Sequence, residues 1–377
     1  MSKLIILTSR QVLFDNRLGK YLRFLDGKKI DYHVIGWDRD NIGLERNNTE
    51  FFRRKSGYAV GGLKAMYNRL FWFQFIVKKL KRFNKTPLFI HACNLDAAFP
   101  VAIYKKFFNK QVYLLFDVGD WMSSVIQTGN KVLLFLIKSM ERFCLKQADK
   151  VIICEKERRE QLPQNYKKEV LVLPNVPMID DIDSVCVEVD NYKFNNDKIT
   201  LSYVGWFGKG RFLEELLEYT KQKKCNLLIA GYGNKEIEEK CIELSSQENV
   251  KYFGRVAHKE GMKIMYNSDL IYAMYCKISN NHIYAAPNKL YEAMCLGKPL
   301  LTTKGIIIGK KVEEENIGYT INETKESLNE LIQSLKINDL LTKGNNAKNM
   351  WNNKYNDYTI NFLNKEYLSL LKKCKIV

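Results

Sequence analysis

The stretch AAPNKLYEAMCLGKPLLTT, residues Ala285–Thr303, predicts a helix followed directly by a strand. Pro287 suits the first turn of a helix, because its ring fixes φ and its missing N–H removes a donor that has no partner there. Gly297 fits the end of that helix, and the predicted strand Pro299–Thr302 follows. The same alternation of helical and strand patterns recurs along the chain and predicts an α/β protein with parallel βαβ units.

Twelve short segments have the continuous apolar character of strands that are covered on both faces. Helical patterns separate them, and six precede a break in the pattern while six follow it. The predicted strands are Lys3–Ser9, Tyr32–Gly36, Leu88–Ala92, Val112–Phe116, Val151–Cys154, Val170–Leu173, Ile199–Val204, Asn226–Ala230, Val250–Phe253, Asp269–Met274, Pro299–Thr302 and Ile317–Ile321. Two doubly wound, Rossmann-like domains are therefore expected.

The break is Pro174-Asn175-Val176-Pro177, followed by an acidic, irregular segment. Prolines so close together end regular structure. We expect an N-terminal domain over residues 1–177, a linker over 178–197 and a second domain over 198–345. A helical pattern over 346–377 is expected to return toward the first domain. Ligands of open parallel sheets bind at the carboxyl ends of the strands, so the two domains are expected to face a central cleft.

Composition narrows the class of protein. The 377 residues are 46% hydrophobic and 27% charged, which favours a large folded core over disorder. The apolar N-terminal run is interpreted as a first strand rather than a signal peptide, and the longest apolar runs are too short to span a bilayer. Nine cysteines without CxxC spacing indicate reduced thiols in a cytosolic protein.

The positive charge is concentrated in the first half of the chain. The net charge is +18, and residues 1–175 hold 32 of the 60 Lys and Arg but only 16 of the 42 Asp and Glu. An anionic membrane face or nucleic acid would suit this half, although solubility alone is an alternative. The helical pattern Ala59–Phe83 sets aromatic residues beside a basic cluster. It is either an interfacial helix or a core helix with a solvated basic end.

Glycine-rich loops follow three predicted strands of the second domain. They contain Gly205 and Gly208, then Gly231 and Gly233, and finally Gly254 with Arg255 and Val256. Glycine lets the backbone approach a ligand closely, and the neighbouring Lys209 and Arg211 can hold phosphate oxygens. The spacing matches neither a Walker A loop nor GxGxxG. Plain turn chemistry is the alternative for each loop.

The helix predicted after Pro287 has the features of an anion site. The N–H groups of Asn288, Lys289 and Leu290 lack intrahelical partners and lie at the positive end of the helix dipole. A diphosphate suits this position. Glu292 follows one turn later, where a carboxylate can accept ribose hydroxyls. The stretch therefore predicts a nucleotide diphosphate site.

Several segments resemble family 4 retaining glycosyltransferases, enzymes of the GT-B fold in the glycosyl transferases group 1 class. The segments are NSDLIYAMY, APNKLYEAMCLGKPLL, ADKVIICEKERREQL, VLPNVP, YVGWFGKGRFLEELLE, LLIAGYGN and VKYFGRV, and they lie in the family's order within residues 85–335. The resemblance implies transfer of a sugar from a nucleotide-diphosphate donor with retention at the anomeric carbon.

The resemblance also implies residue roles. Lys209 and Arg211 match the catalytic basic pair on the leaving diphosphate, residues 288–290 its main-chain cradle, and Glu292 the acid on the ribose. The family often has a further glutamate, at a position that is Tyr284 here. The sugar contact of that glutamate is therefore in question, and Tyr284 is assigned to the donor site.

The first domain is expected to hold the acceptor. The family often has a histidine beside an acid after the fourth strand, where this chain has LLFDVGDWMSS. Asp120 is preferred over Asp117 as the catalytic acid there, with turn capping as the alternative role for both. Arg17, Lys20 and His91 are the candidate acceptor residues, against the alternative of solvated surface charges for Arg17 and Lys20. A metal-binding pattern in the expected position is lacking, so no metal or other cofactor is predicted.

The predicted function is transfer of a sugar to a saccharide acceptor, expected to be lipid-linked, in bacterial O-antigen, capsule or exopolysaccharide synthesis. The protein is expected to be cytoplasmic and peripheral at the inner face of the membrane. Two alternatives stay open: a GT-B nucleotide-sugar epimerase, and a non-enzymatic basic module for membranes or nucleic acid. The absence of a known RNA-binding motif in the sequence argues against a nucleic acid partner. The sugar, the nucleotide, the acceptor and the linkage are not set by the sequence.

Overall fold

The computed structural model describes residues 2–12, 15–57, 63–83, 86–126, 128–178 and 182–377. The chain divides into two compact units. The first comprises Met1–Pro174 together with Thr359–Val377, and the second comprises Asn175–Tyr358. Each unit is built on one parallel sheet with helices between the strands.

The first unit has a seven-stranded sheet in the order β3-β2-β1-β4-β5-β6-β7. Its strands are β1 Lys3–Thr8, β2 His33–Asp38, β3 Thr49–Arg53, β4 Leu88–Cys93, β5 Val112–Val118, β6 Lys150–Ile153 and β7 Val170–Val172. Its helices are α1 Asn16–Gly27, α2 Leu63–Leu80, α3 Leu95–Phe107, α4 Met122–Val125 and α5 Lys131–Gln147, with 3-10 turns at Lys81–Phe83 and Lys156–Gln161. The strand order reverses between β1 and β4, so the loops after these two strands flank the switch point.

The second unit has a six-stranded sheet in the order β10-β9-β8-β11-β12-β13. Its strands are β8 Thr200–Phe207, β9 Asn226–Gly233, β10 Val250–Tyr252, β11 Leu270–Tyr272, β12 Leu300–Thr303 and β13 Gly318–Ile321. Its helices are α6 Leu213–Lys221, α7 Lys235–Leu244, α8 His258–Tyr266, α9 Asn280–Ile283, α10 Asn288–Leu296, α11 Ile307–Glu314, α12 Lys325–Ser334 and α13 Ile337–Met350, with a 3-10 turn at Asp190–Tyr192. The switch point lies between β8 and β11.

The predicted fold class is confirmed, and each of the twelve predicted strands corresponds to an observed one within a few residues. Every residue of β4 is buried, as expected for a central strand with helices on both faces. The sequence missed β3, an edge strand with the sequence TEFFR. None of its five residues is fully buried, so it lacks the apolar run by which the other strands were found.

The segment expected to be a linker packs into the second unit. Val176 and Val185 are buried in a core cluster with Tyr291 of α10, and Tyr192 is buried against Phe253. Part of the segment, residues 179–181, lies outside the described residues. Because these side chains bury apolar surface there, the described part of 175–197 is a covering layer of the second sheet rather than a free connection.

The C-terminal helical pattern contributes to both units. After α13 come a π-helical turn at Trp351–Tyr355, α14 Tyr358–Phe362, a π-helical turn at Leu363–Tyr367 and α15 Leu368–Lys373. Residues up to Tyr358 belong to the second unit, and Thr359–Val377 pack in the first. Tyr367 is fully buried there, with its ring against those of Tyr21, Phe24 and Phe89.

Helix α2 packs one face into the core, which agrees with the core-helix alternative for the pattern Ala59–Phe83. Trp72, Ile76 and Leu80 are fully buried, with Trp72 stacked on Trp37. The basic end is solvated in part, and Lys79 pairs with Glu50. Residues 59–62 lie outside the described part of the chain. Among the helices that the structure describes, none has both the length and the apolar character needed to cross a membrane.

Candidate active site

The start of α10 lies at the carboxyl edge of the second sheet, just after β11. Pro287 is its N-cap with an extended ψ of 148° and supplies no capping side chain. The amides of Asn288, Lys289 and Leu290 have no acceptor within the helix because they belong to its first turn. Gly297 ends the helix with a positive φ of 66°, and β12 follows as the sequence predicts. Tyr284 ends the short helix α9 three residues before Pro287.

Glu292 lies one turn into α10 and is only 1% exposed. Its Oε2 accepts a hydrogen bond of 2.6 Å from Lys289 Nζ, and its Oε1 lies 2.8 Å from His258 Nε2. Burial alone would raise the pKa of Glu292, but the Lys289 charge and the His258 hydrogen bond outweigh it and lower the pKa to about 2. A buried, fully ionised carboxylate therefore lies beside the open first turn of α10.

The loop after β8 meets the segment after β11 at the switch point. The Cys276 amide donates to the Gly210 carbonyl at 2.9 Å. The Arg211 guanidinium lies 4.1 Å from the centre of the Tyr275 ring, and its Nη1 is buried without a hydrogen-bond partner. Lys209 is exposed and forms no ion pair within the described residues. The two basic side chains of this loop thus lie at the same edge of the sheet as the start of α10.

Gly205, Gly231 and Gly233, which the sequence analysis placed in loops, lie in the last residues of β8 and β9, because both strands extend further than predicted. The two strand ends are in register, with Gly205 opposite Gly231 and Phe207 opposite Gly233. A Cβ on Gly231 would lie 2.0 Å from the Gly205 carbonyl oxygen, so this glycine permits close packing of two backbones. A Cβ on Gly208 would instead meet the Trp206 side chain at 1.8 Å, and one on Gly233 would meet both the Phe207 carbonyl oxygen and the Trp206 side chain at 2.7 Å. The space that we assigned to a ligand beside these two glycines is therefore partly filled by an indole, which is itself 54% exposed.

The loop after β10 approaches the end of β9. Arg255 is exposed and stacks on the Tyr232 ring at 4.4 Å, and the Gly254 carbonyl accepts a hydrogen bond from the Gly231 amide at 2.8 Å. Val256 is half-buried and packs against the core below. Arg255 and Tyr232 are thus available at the carboxyl edge of the sheet, whereas Val256 offers a ligand its backbone more readily than its side chain.

In the first unit, Arg17 and His91 meet at Asp117 at the end of β5. Arg17 Nη2 lies 2.7 Å from Asp117 Oδ1, Tyr21 donates to Oδ2 at 3.1 Å, and His91 Nε2 is 3.4 Å from Oδ2. Burial would raise the pKa of Asp117, but the Arg17 charge holds it well below its usual range. His91 Nδ1 also lies 3.3 Å from the hydroxyl of Tyr367. Two of the three predicted acceptor residues are therefore parts of one buried network.

Lys20, the third predicted acceptor residue, is only 3% exposed on α1. Burial, followed by the nearby Arg17 charge, lowers the pKa of Lys20 to about 7. Asp120 lies outside this network, with a partly exposed side chain. It accepts hydrogen bonds from Arg10 at 3.0 Å and from Arg158 at 3.3 Å. The predicted catalytic acid is therefore held between two arginines that the sequence did not point to.

Three of the four histidines contact a carboxylate, which the sequence did not reveal. His33 pairs with Glu50, His91 with Asp117 and His258 with Glu292. The partners are 17, 26 and 34 residues apart, so no local motif could connect them. Among the described residues, His91, Cys93 and Asp117 also bring metal-type ligand atoms within 4.8 Å of one another. Both Asp117 oxygens already accept hydrogen bonds from protein donors, however. All nine cysteines are free thiols.

Comparison with known proteins places this architecture. The closely similar folds include a sucrose-phosphate synthase from Thermosynechococcus elongatus, with a TM-score of 0.72, 14% identity and coverage of 99% of this chain and 100% of that one. The HepE protein of Anabaena, solved with UDP and glucose, has a TM-score of 0.68 and 16% identity, with 98% and 100% covered. WaaG, a glycosyltransferase involved in lipopolysaccharide biosynthesis, has a TM-score of 0.63 and 16% identity, with 95% and 98% covered. At these low sequence identities, the similarity shows a shared fold and nothing further. A search of curated proteins finds no sequence match.

The two parallel sheets and these neighbours define a protein of the GT-B fold. Residues 188–357 match the family of glycosyl transferases group 1, and this span contains α10 and the loops after β8, β9 and β10. The second unit therefore carries a glycosyl transferases group 1 domain, in agreement with the resemblance seen in the sequence.

Proposed function

We propose that this enzyme transfers a sugar from a nucleotide-diphosphate sugar that binds to the second unit. The observation that carries the proposal is the open first turn of α10 with the buried, ionised Glu292 directly behind it. The family match covers both features. The positive end of the helix attracts the diphosphate, and the carboxylate binds the ribose.

The leaving diphosphate lies on the amides of residues 288–290, with Arg211 and Lys209 on its other side. Arg211 supports this role through its unpartnered Nη1 and its position on Tyr275. These cations stabilise the negative charge that develops on the departing phosphate. In the retaining reaction implied by the family resemblance, a donor phosphate oxygen takes the proton of the acceptor hydroxyl.

Glu292 retains the capacity to bind ribose although two side chains already contact it. A carboxylate has about four acceptor positions, and His258 and Lys289 occupy one on each oxygen. Lys289 is partly exposed and adjoins the proposed diphosphate site. When the donor binds, the Lys289 ammonium moves toward the phosphates, so that Glu292 Oε2 can accept a hydrogen bond from a ribose hydroxyl. Gly205, Gly208, Gly231, Gly233, Arg255, Val256 and Tyr284 surround the rest of the donor.

The acceptor binds to the first unit and is a saccharide, lipid-linked in our proposal. Lys20 supports an anionic acceptor, because a bound phosphate would stabilise the charged form of this buried amine. Arg17 and His91 form the base of this site through their contacts with Asp117. Asp120 contacts the acceptor or the transferred sugar. The overall likeness to WaaG favours bacterial surface polysaccharide synthesis at the cytoplasmic face of the membrane.

The donor half of the proposal is tested by thermal shift with UDP-, GDP-, TDP- and ADP-sugars. One of them raises Tm in proportion to the logarithm of its concentration above Kd. The HepE complex makes the UDP-sugars the expected class. Glu292→Gln abolishes the shift, whereas Glu239→Ala on the exposed face of α7 retains it. An unchanged shift in Glu292→Gln would overturn the ribose assignment, and no shift with any donor would overturn the proposal.

The type of reaction is tested by product analysis. With donor and acceptor, the expected product has the anomeric configuration of the donor, as read by proton NMR. A changed nucleotide sugar formed without acceptor would instead establish an epimerase. Salt-dependent retention on DNA without any nucleotide-sugar binding would favour the non-enzymatic basic module.

A further inference from the structure

A groove of about 980 Å³ lies in the first unit beside α5. One wall is α5, and the other is the segment that follows the 3-10 turn at 156–161. Its rim carries the cations Lys138, Arg142, Lys146 and Lys167, none of which forms an ion pair within the described residues. Glu141 is the one lining carboxylate. It accepts a hydrogen bond from the Ser123 amide, and burial raises the pKa of Glu141.

Polar atoms beside this groove lack partners. Trp121 Nε1, Gln161 Oε1 and the Tyr166 hydroxyl are buried without hydrogen bonds, and all three residues line the groove. An unpaired buried polar atom costs about 1–3 kcal/mol. By contrast, Lys168 at the rim is already used, because its ammonium donates to the carbonyls of Lys146 and Ala148.

The first turns of α5 expose a set of adjacent apolar side chains. Val132, Phe135 and Leu136 are 69%, 64% and 51% exposed. Phe135 precedes Lys138 by three residues and Arg142 by seven, so helical spacing puts all three on one stripe of α5. An apolar end and a cationic groove therefore adjoin on one face of a single helix.

We propose that α5 and this groove bind the surface of an anionic membrane. Val132, Phe135 and Leu136 enter the acyl boundary, while Lys138, Arg142, Lys146 and Lys167 bind lipid phosphates. Head-group oxygens and hydroxyls supply the partners that Trp121, Gln161 and Tyr166 lack. The combination of exposed apolar residues with adjacent cations is typical of interfacial helices.

The position of α5 agrees with a lipid-linked acceptor. The helix begins at the carboxyl edge of the first sheet, where Asp117 lies near the end of β5 and Asp120 follows that strand. Only this link between α5 and a lipid-linked acceptor rests on the proposed function. Phe107 and Phe108 are also exposed near lysines, but they lie at the C-terminal end of α3, at the amino ends of the strands. On α2, Met66, Tyr67 and Leu70 are also exposed, but they lie about 12 Å or more along the helix from the basic cluster that begins at Lys78. The cation beside them, Arg54, already stacks on the rings of Tyr67 and Phe71.

Co-sedimentation of the full chain with vesicles tests the proposal. Binding is expected with equal parts of phosphatidylcholine and phosphatidylglycerol, and only weakly with phosphatidylcholine alone. Lys138→Gln/Arg142→Gln weakens binding to the anionic vesicles roughly thirtyfold, since each cation near such a surface contributes about 1 kcal/mol. Phe135→Ser/Leu136→Ser weakens it about tenfold or more, by removing the apolar part of the contact.

Matched variants at the amino ends of the strands of the first sheet are the controls. Lys28→Gln/Lys29→Gln makes the same change in net charge, and Phe107→Ser/Phe108→Ser removes the same amount of exposed apolar character. Both are expected to bind vesicles like the wild type. Equal loss in these controls, equal binding to phosphatidylcholine alone, or loss only in Tyr67→Ser/Leu70→Ser would overturn the proposal.

Circular dichroism and Tm confirm that each variant is folded. The thermal shift with the nucleotide sugar is expected to be unchanged in all of them, because none of the altered residues is in the donor site. A chain that binds its donor but not vesicles contradicts the membrane proposal alone. A chain that binds vesicles but no donor contradicts the proposed function alone.

Discussion

Glu292 combines burial with a strongly lowered pKa, and this combination has a consequence for stability. Its folded pKa of about 2 lies below the ordinary value of 4.5, so the ionised form is favoured in the folded state. Its contribution to stability is therefore fully present above pH 4.5 and is lost as the pH falls toward 2. In urea titrations, the stability difference between wild type and Glu292→Gln should shrink over this interval. A difference that is constant over this interval would contradict the two contacts that lower the pKa.

Lys20 has the opposite linkage, because its folded pKa of about 7 lies below the ordinary 10.5. Its charged form is disfavoured in the fold, so the cost is fully present below pH 7 and is relieved as the pH rises to 10.5. Wild type should therefore gain stability relative to Lys20→Met over this interval, as measured by denaturant midpoints. A parallel course of the two proteins would show that Lys20 is solvated.

Gly208 and Gly231 differ in what an added methyl group would displace. Gly208→Ala pushes against the indole, which is half exposed and can move, whereas Gly231→Ala pushes against the Gly205 carbonyl in the neighbouring strand. We expect Gly231→Ala to lower the free energy of unfolding by about 1–3 kcal/mol and Gly208→Ala by less. Adding Trp206→Ala should rescue Gly208→Ala and leave Gly231→Ala unchanged. Rescue of both, measured by chemical denaturation, would contradict the geometry of this loop.

At the scale of elements, the segment after α14 completes the core of the first unit. Tyr367 packs against three aromatic rings, and its hydroxyl lies near His91. Tyr367→Ala should cost about 3–5 kcal/mol of stability because it leaves a large cavity. Tyr367→Phe, which removes only the hydroxyl, should cost about 1 kcal/mol. Amide hydrogen exchange in β1 and β4 measures both losses, and it should be accelerated much more in Tyr367→Ala than in Tyr367→Phe. Equal costs would mean that the ring contributes little.

The sequence predicted elements well wherever burial on both faces makes strands continuously apolar. It predicted α10 because Pro287 and Gly297 mark both of its ends chemically. It failed at β3, because an edge strand retains charged and half-exposed side chains that resemble a loop. It left α2 open between an interfacial and a core helix, because aromatic residues in a helix have the same pattern whether they face lipid or a core of tryptophans.

At the scale of the whole molecule, donor residues follow from the sequence better than acceptor residues do. The residues proposed for the diphosphate lie in two short segments, 205–211 and 287–292, which local patterns can reveal. The partners of Asp117 and Asp120 come from the loop after β1, from α1, from β4 and from the 3-10 turn at 156–161. Such contacts depend on the fold and leave no local pattern. The same holds for the contact between His258 and Glu292.

The division into two units gives a prediction for ligand binding. A nucleoside diphosphate without sugar should protect amides of residues 205–211 and 288–292 from hydrogen exchange, because all its proposed contacts are in the second unit. Amides of α1 and β5 in the first unit should not change in local protection. Protection of the amides around Arg17 and Asp117 instead would show that the nucleotide binds to the first unit, which would contradict our account.

The central claim is that the first turn of α10 holds the diphosphate of an activated sugar. The most direct measurement is a crystal structure of the protein with the nucleotide sugar that gives the largest thermal shift. We expect phosphate oxygens about 2.7–3.2 Å from the amides of residues 288–290, and a ribose hydroxyl at Glu292. A nucleotide bound elsewhere, with Lys289 still paired to Glu292 and no ligand at these amides, would contradict the account.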